Sequence, residues 1–237
     1  MKKLGPGSDA DTLRVLAMLP GESFPTIVDA GCGSGRQTLA LARRLATTVH
    51  AVDTSAAHLE RLRQQAAELG IGHLVQTHCM DMAGIPGVFP PIDLLWSECA
   101  AYHIGFANAL QTWFPAIRAG GHAVVSELSW LRETIPAEAR EYLQAGYPGI
   151  GGVERNISLA RDAGYEVVAT HVLSKAAWIE DYYEILAPRA RSLLNHGDQS
   201  VRDFAAETLK GIWIFDCFGD SYGYVFYVLK KPRPAAG

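Results

Sequence analysis

The feature that most restricts this chain is Val28-Asp29-Ala30-Gly31-Cys32-Gly33-Ser34-Gly35-Arg36, where three glycines alternate with other residues directly after a short apolar run. Thr26-Ile27-Val28-Asp29-Ala30, stopped by glycine, reads as a buried parallel strand, and residues from Gln37 to Leu45 are patterned as a helix. The glycines therefore occupy a strand-to-helix turn. Residues without a Cβ let the backbone turn tightly there and approach a ligand closely, at a helix start whose amides attract polar groups. A dinucleotide fingerprint, GxGxxG, would require glycine at position 36, which is Arg36.

Two acids follow at matching places. Asp53 ends a second strand, Val49 to Val52, and precedes Thr54-Ser55, which opens a helix to Leu69 with Leu59, Leu62, Ala66 and Leu69 on one face and Gly70 as its stop. An acid in that position can accept hydrogen bonds from both ribose hydroxyls of a nucleoside lying over the glycine loop, or it can cap the helix. Asp81, within Cys79-Met80-Asp81-Met82, ends a third strand, Leu74 to Cys79. A carboxylate can accept from an adenine amine while Met82 packs on the ring, although an ordinary turn acid looks the same.

Further strands are expected at Ile92 to Trp96 and Ala123 to Glu127, separated by a helix with Phe106, Ala109, Leu110, Trp113, Phe114 and Ile117 facing the core before Gly120-Gly121. Helical segments at Pro136 to Gln144 and Gly152 to Ala163, then strands at Tyr165 to Leu173 and Tyr222 to Leu229, complete the pattern. Alternation of this kind predicts a three-layer α/β sandwich with a doubly wound, mostly parallel sheet that binds ligands beyond its carboxyl ends. Residues 1–237 are read as a single domain, with 1–21 a covering helix capped by Ser8 and carrying Leu13, Leu16 and Leu19 inward, and 174–221 a helical insertion. The tail Pro232 to Gly237 is expected to fray.

Composition removes other classes. Net charge is -4 and no run of Lys or Arg exceeds two residues, which disfavours nucleic acid as partner. No apolar stretch approaches the roughly 20 residues that span a bilayer, and Met1-Lys2-Lys3-Leu4-Gly5-Pro6-Gly7 lacks a signal-peptide core, so a cytoplasmic protein without membrane contact is expected. Cys32, Cys79, Cys99 and Cys217 have no metal-ligand spacing and read as four buried thiols, with no metal expected.

The stretch from about Thr26 to Trp130 resembles class I S-adenosylmethionine-dependent methyltransferases, particularly the ubiquinone and menaquinone biosynthesis-like (type 11) group. Leu4-Gly5-Pro6-Gly7-Ser8 with Thr12-Leu13, and Trp96-Ser97-Glu98-Cys99-Ala100-Ala101-Tyr102-His103-Ile104-Gly105-Phe106, resemble one subgroup of it, in which Glu98 is usually followed by Gly rather than Cys99. The resemblance implies a seven-stranded sheet with an antiparallel last strand, S-adenosyl-L-methionine as cofactor and a small-molecule acceptor. It also implies roles: Asp29 and the loop of Gly31, Cys32, Gly33 and Gly35 at the methionine portion, Asp53 with Thr54 at the ribose, Asp81 and Met82 at the adenine. Ser97 and Glu98 would face the sulfonium and acceptor.

An oxygen acceptor can require a general base, and Glu98, His103, Tyr102 and Glu127 all lie near the ends of strands four and five. His103 reads equally as a cap of the next helix. Tyr102, Trp130, Tyr147, Trp178 and Tyr182 suit an apolar or ring-shaped acceptor, or a cation on aromatic faces, and equally suit a core. The rival classes are an NAD-type oxidoreductase and a protein that binds the cofactor without catalysis.

Overall fold

A computed structural model describes residues 5–21, 23–89 and 91–234. The opening tetrapeptide and the last three residues of the expected frayed tail lie outside it. Helix α1 (Asp9–Leu16) starts from a capping box in which the Ser8 hydroxyl accepts from the Asp11 amide and the Asp11 carboxylate accepts from the Ser8 amide. Next come β1 (Ile27–Ala30), α2 (Arg36–Leu45), β2 (Val49–Asp53), α3 (Ala56–Glu68), β3 (Val75–Cys79), β4 (Ile92–Ser97), α4 (Phe106–Trp113) and β5 (Ile117–Trp130). The chain continues through α5 (Ala137–Gly146), β6 (Gly151–Gly152), α6 (Val153–Asp162) and β7 (Glu166–Val172). After α7 (Lys175–Trp178) and one π-helical turn come α8 (Glu184–Leu193), α9 (Gln199–Phe218) and β8 (Tyr222–Lys230).

The strand order is β3-β2-β1-β4-β5-β8-β7, with the two-residue β6 added beside β5. Strands β1 to β5 are parallel, and β8 runs antiparallel between β5 and β7. Alternation along the strands divides the core between the sheet faces. Val28, Ala30, Val125 and Tyr227 pack with Phe106, Leu110 and Trp113 of α4 and Ala160 of α6. On the other face Ile27, Val49 and Val228 meet Val15 of α1, Leu41 of α2 and Ile214 of α9.

Three expectations are corrected. Ile117 begins β5 opposite Ile92 and does not end a helix; α4 stops at Trp113, and β5 passes through Gly120-Gly121 because Gly120 adopts φ of +77°. Leu69 is the C-cap of α3, beyond its buried face, and is 50% exposed. Cys79 and Cys217 are exposed, Cys79 because β3 is a sheet edge. The expected sheet of seven strands with β8 antiparallel is present, and the two-residue β6 adds an eighth beside β5.

Trp113 is fully buried, and its Nε1 donates to the Met82 carbonyl at 3.0 Å, so α4 holds the loop after β3. Trp113→Ala is expected to cost about 3–5 kcal/mol of unfolding free energy through the cavity it leaves. Urea unfolding measures this, and a loss under about 1 kcal/mol would mean that the site collapses around the smaller side chain.

Candidate active site

Strands β1 to β4 end in one cavity of about 460 Å³. Its lining includes Gly31, Cys32, Gly33, Gly35, Asp53, Thr54, Asp81, Met82, Glu98, Tyr102 and His103. Gly31, Gly33 and Gly35 adopt φ of +72°, +55° and +81°, the left-handed region that a side chain resists. A Cβ on Gly31 would lie 2.4 Å from that of Ala100, so the loop is pressed against the chain leaving β4.

Asp53 braces this loop. One carboxylate oxygen accepts from the Gly33 amide and the other from the Ser55 amide, both at 2.8 Å. Each oxygen keeps acceptor capacity for a ligand hydroxyl. Asp81 accepts from the Ala83 amide at 2.8 Å and is exposed at the cavity rim, beside Met80 and Met82. Cys32 is buried, and burial pushes its thiol far above the usual range, so it acts there as a small apolar residue.

Two expected contact residues lie off the cavity wall. Ser97 is fully buried and its hydroxyl donates to the Ala30 carbonyl at 2.9 Å, tying β4 to β1. Asp29 points towards α2, where it accepts from the Thr38 hydroxyl and, at 3.3 Å, from Gln37 Nε2. Both residues therefore support the loop from beneath.

Burial pushes the Asp29 carboxyl up to about 7, the Thr38 and Gln37 bonds opposing it. An unfolded chain ionises this group near 3.8, so between about pH 4 and 7 the unfolded state has lost a proton that the folded state keeps. Stability therefore falls as pH rises through that window, by up to about 4 kcal/mol from this group. Glu127, raised to about 7 by burial, acts in the same direction. Urea titrations from pH 4 to 8 should show a markedly flatter decline for Asp29→Asn; an unchanged decline would transfer the effect to other groups.

Glu98 is more heavily bonded than a proton acceptor should be. Its Oε1 accepts from Thr12 Oγ1 at 2.7 Å and Trp96 Nε1 at 2.9 Å, while Oε2 accepts from Arg36. Arg36 also reaches Asp9 and Thr12, at 3.3 and 3.1 Å, joining α1, α2 and the end of β4. Sequence reading noticed Arg36 only as the missing third glycine. Its partner lies 62 residues away, a distance over which periodicity carries no signal.

Tyr102 and His103 also line the cavity, with ring centroids 4.1 Å apart. His103 does not cap the following helix, since Gly105 occupies the N-cap. Of the other aromatics, Trp178 is core: its indole stacks on Phe215 and Tyr224, at 4.6 and 5.4 Å between centroids.

Residues 27–121 match the family described as a methyltransferase domain. By this match residues 27–121 form a methyltransferase domain. The chain is 32% identical over 181 residues to a trans-aconitate 2-methyltransferase of Paracidovorax citrulli, an alignment covering 76% of this chain and 62% of that protein. Its fold superimposes on a methyltransferase from Geobacter sulfurreducens solved with S-adenosyl-L-homocysteine, with TM-score 0.82, 18% identity, and 98% and 94% of the two chains covered. It also superimposes on the [4+2]-cyclase SpnF, with TM-score 0.78, 21% identity, and 98% and 85% covered. The methyltransferase domain thus shares its architecture with proteins of different chemistry. Among the described residues no helix is long and apolar enough to cross a membrane.

Proposed function

We propose that this protein transfers a methyl group from S-adenosyl-L-methionine to a small-molecule acceptor in the cytoplasm, and that nucleic acid is not its substrate. The observation that carries this reading is the single cavity joining the glycine loop to Asp53 and Asp81 at successive strand ends. Its donor set fits the cofactor: carboxylates for hydroxyl and amine groups, backbone amides for a polar tail, and Met80 and Met82 for an aromatic ring.

Asp53 with Thr54 would hold the ribose, Asp81 with Met82 the adenine, and the loop of Gly31, Cys32, Gly33 and Gly35 the methionine portion. The cofactor supplies a methyl group already activated by a sulfonium. The chain then has to bind, orient and exclude water, and alignment alone accounts for much of the acceleration. Glu98 orders the wall through Arg36 and Thr12, while Tyr102 and His103 face the acceptor space.

Calorimetric titration with S-adenosylmethionine, S-adenosylhomocysteine and NAD tests the reading. Micromolar binding of the first two with no NAD response is expected. Heat from NAD alone would overturn it, and the cyclase relationship makes methyl transfer from radiolabelled cofactor the second readout.

A further inference from the structure

One carboxylate near the cavity has no charge to answer it. Glu127, near the carboxyl end of β5, is 2% exposed, and its Oε2 is buried without a hydrogen-bond partner. The Tyr147 hydroxyl donates to this carboxylate. Among the described residues no Lys, Arg or His pairs with it. Tyr102, Tyr147 and Tyr227 each feel its charge, as does Tyr224 from the opposite face of the sheet, where it stacks on Trp178. Tyr182, from the helical segment after β7, lies close to Cys99 and Tyr102.

Glu127 and Tyr147 adjoin the cavity already described through Tyr102. Tyr102 and Cys99 line that cavity, and the Tyr102 ring meets the Tyr147 ring at 5.9 Å between centroids. Tyr102, 36% exposed, is shared between the cavity and the surroundings of Glu127. A buried, unpaired carboxylate is costly and lacks the cation that would offset its burial. Tyrosine faces present the negative part of their quadrupole, which attracts cations and repels anions.

We infer that Glu127, with the Tyr147 and Tyr102 rings beside it, receives an organic ammonium group at the edge of the cavity, which makes the methyl acceptor an amine. The inference rests on the methyl-transfer reading for the word acceptor, though not for the ammonium site itself. The Glu127 carboxylate takes one proton from the bound ammonium. An O–H bond forms at the carboxylate, the N–H bond breaks, and its electron pair remains on nitrogen as the lone pair a nucleophile needs. Burial, which raises Glu127 to about 7, keeps this group close to the point of accepting a proton.

The test is calorimetric titration of the full chain with benzyltrimethylammonium, benzyl alcohol and benzoate, with and without saturating S-adenosylhomocysteine. The cation is expected to bind about tenfold or more tightly than the alcohol, and benzoate most weakly. Glu127→Gln should abolish that preference while retaining a cooperative melting transition. Should it fail to fold, Tyr102→Leu gives an independent measure, with a cation affinity loss of about tenfold expected. Preferred binding of benzoate, or a cation preference that survives both substitutions, overturns the inference. Failure of S-adenosylhomocysteine to bind while the cation preference persists would remove the methyl-transfer reading and leave the ammonium site standing.

Discussion

Asp53→Ala is expected to weaken binding of S-adenosylmethionine and S-adenosylhomocysteine by about a hundred- to a thousand-fold. A hydrogen bond to a charged group contributes roughly 1.5–3 kcal/mol, and two ribose hydroxyls would share this carboxylate, with every 1.4 kcal/mol worth about a factor of ten. The carboxylate also holds the Gly33 and Ser55 amides, so its removal loosens the loop that it braces. Asp53→Asn keeps the shape and loses the charge, and should fall between the two. Calorimetry on all three proteins checks this; an alanine variant within about threefold of the parent would show that the ribose is held elsewhere.

Gly35→Ala should damage both stability and binding. Gly35 is the N-cap of α2 with φ of +81°, and an added Cβ would lie 2.2 Å from Leu62 Cδ1 and 2.8 Å from Leu62 Cγ. Leu62 is fully buried and cannot swing away. Left-handed strain of about 1–2 kcal/mol adds to an overpacking cost of about 1–3 kcal/mol. Gly21→Ala is the matched control, because Gly21 has φ of +104° with nothing within 4 Å of the added carbon. If the two substitutions shift the urea midpoint equally, the contact with Leu62 contributes nothing.

The first half of the fold was legible because glycines and acids punctuate each strand end, and buried parallel strands leave short apolar runs. The start of β5 was not. Phe106, Leu110, Trp113 and Ile117 recur at helical spacing, and only the backbone turn at Phe114-Pro115-Ala116 moves Ile117 into the sheet. The two glycines of β6 pair with β5 without any apolar pattern of their own. At the site, local spacing placed the glycine loop, Asp53 and Asp81 on one cavity. It did not assign Asp29 and Ser97 to the supporting layer, since a strand's last residues look alike whichever side they face. Nor did it pair Arg36 with Glu98 or Glu127 with Tyr147, which meet only through the topology.

Gly5 and Pro6 line the cavity, and α1 behind them is fastened by Asp9 and Thr12 to Arg36 and Glu98. Residues 5–16 thus form one side of the chamber, fastened through one buried ion pair. A nucleoside ligand seated against that side would be held in part by the docking of the first helix, so filling the chamber and fastening the helix support each other. Amides of α1 are then expected to exchange their hydrogens more slowly whenever the chamber is filled.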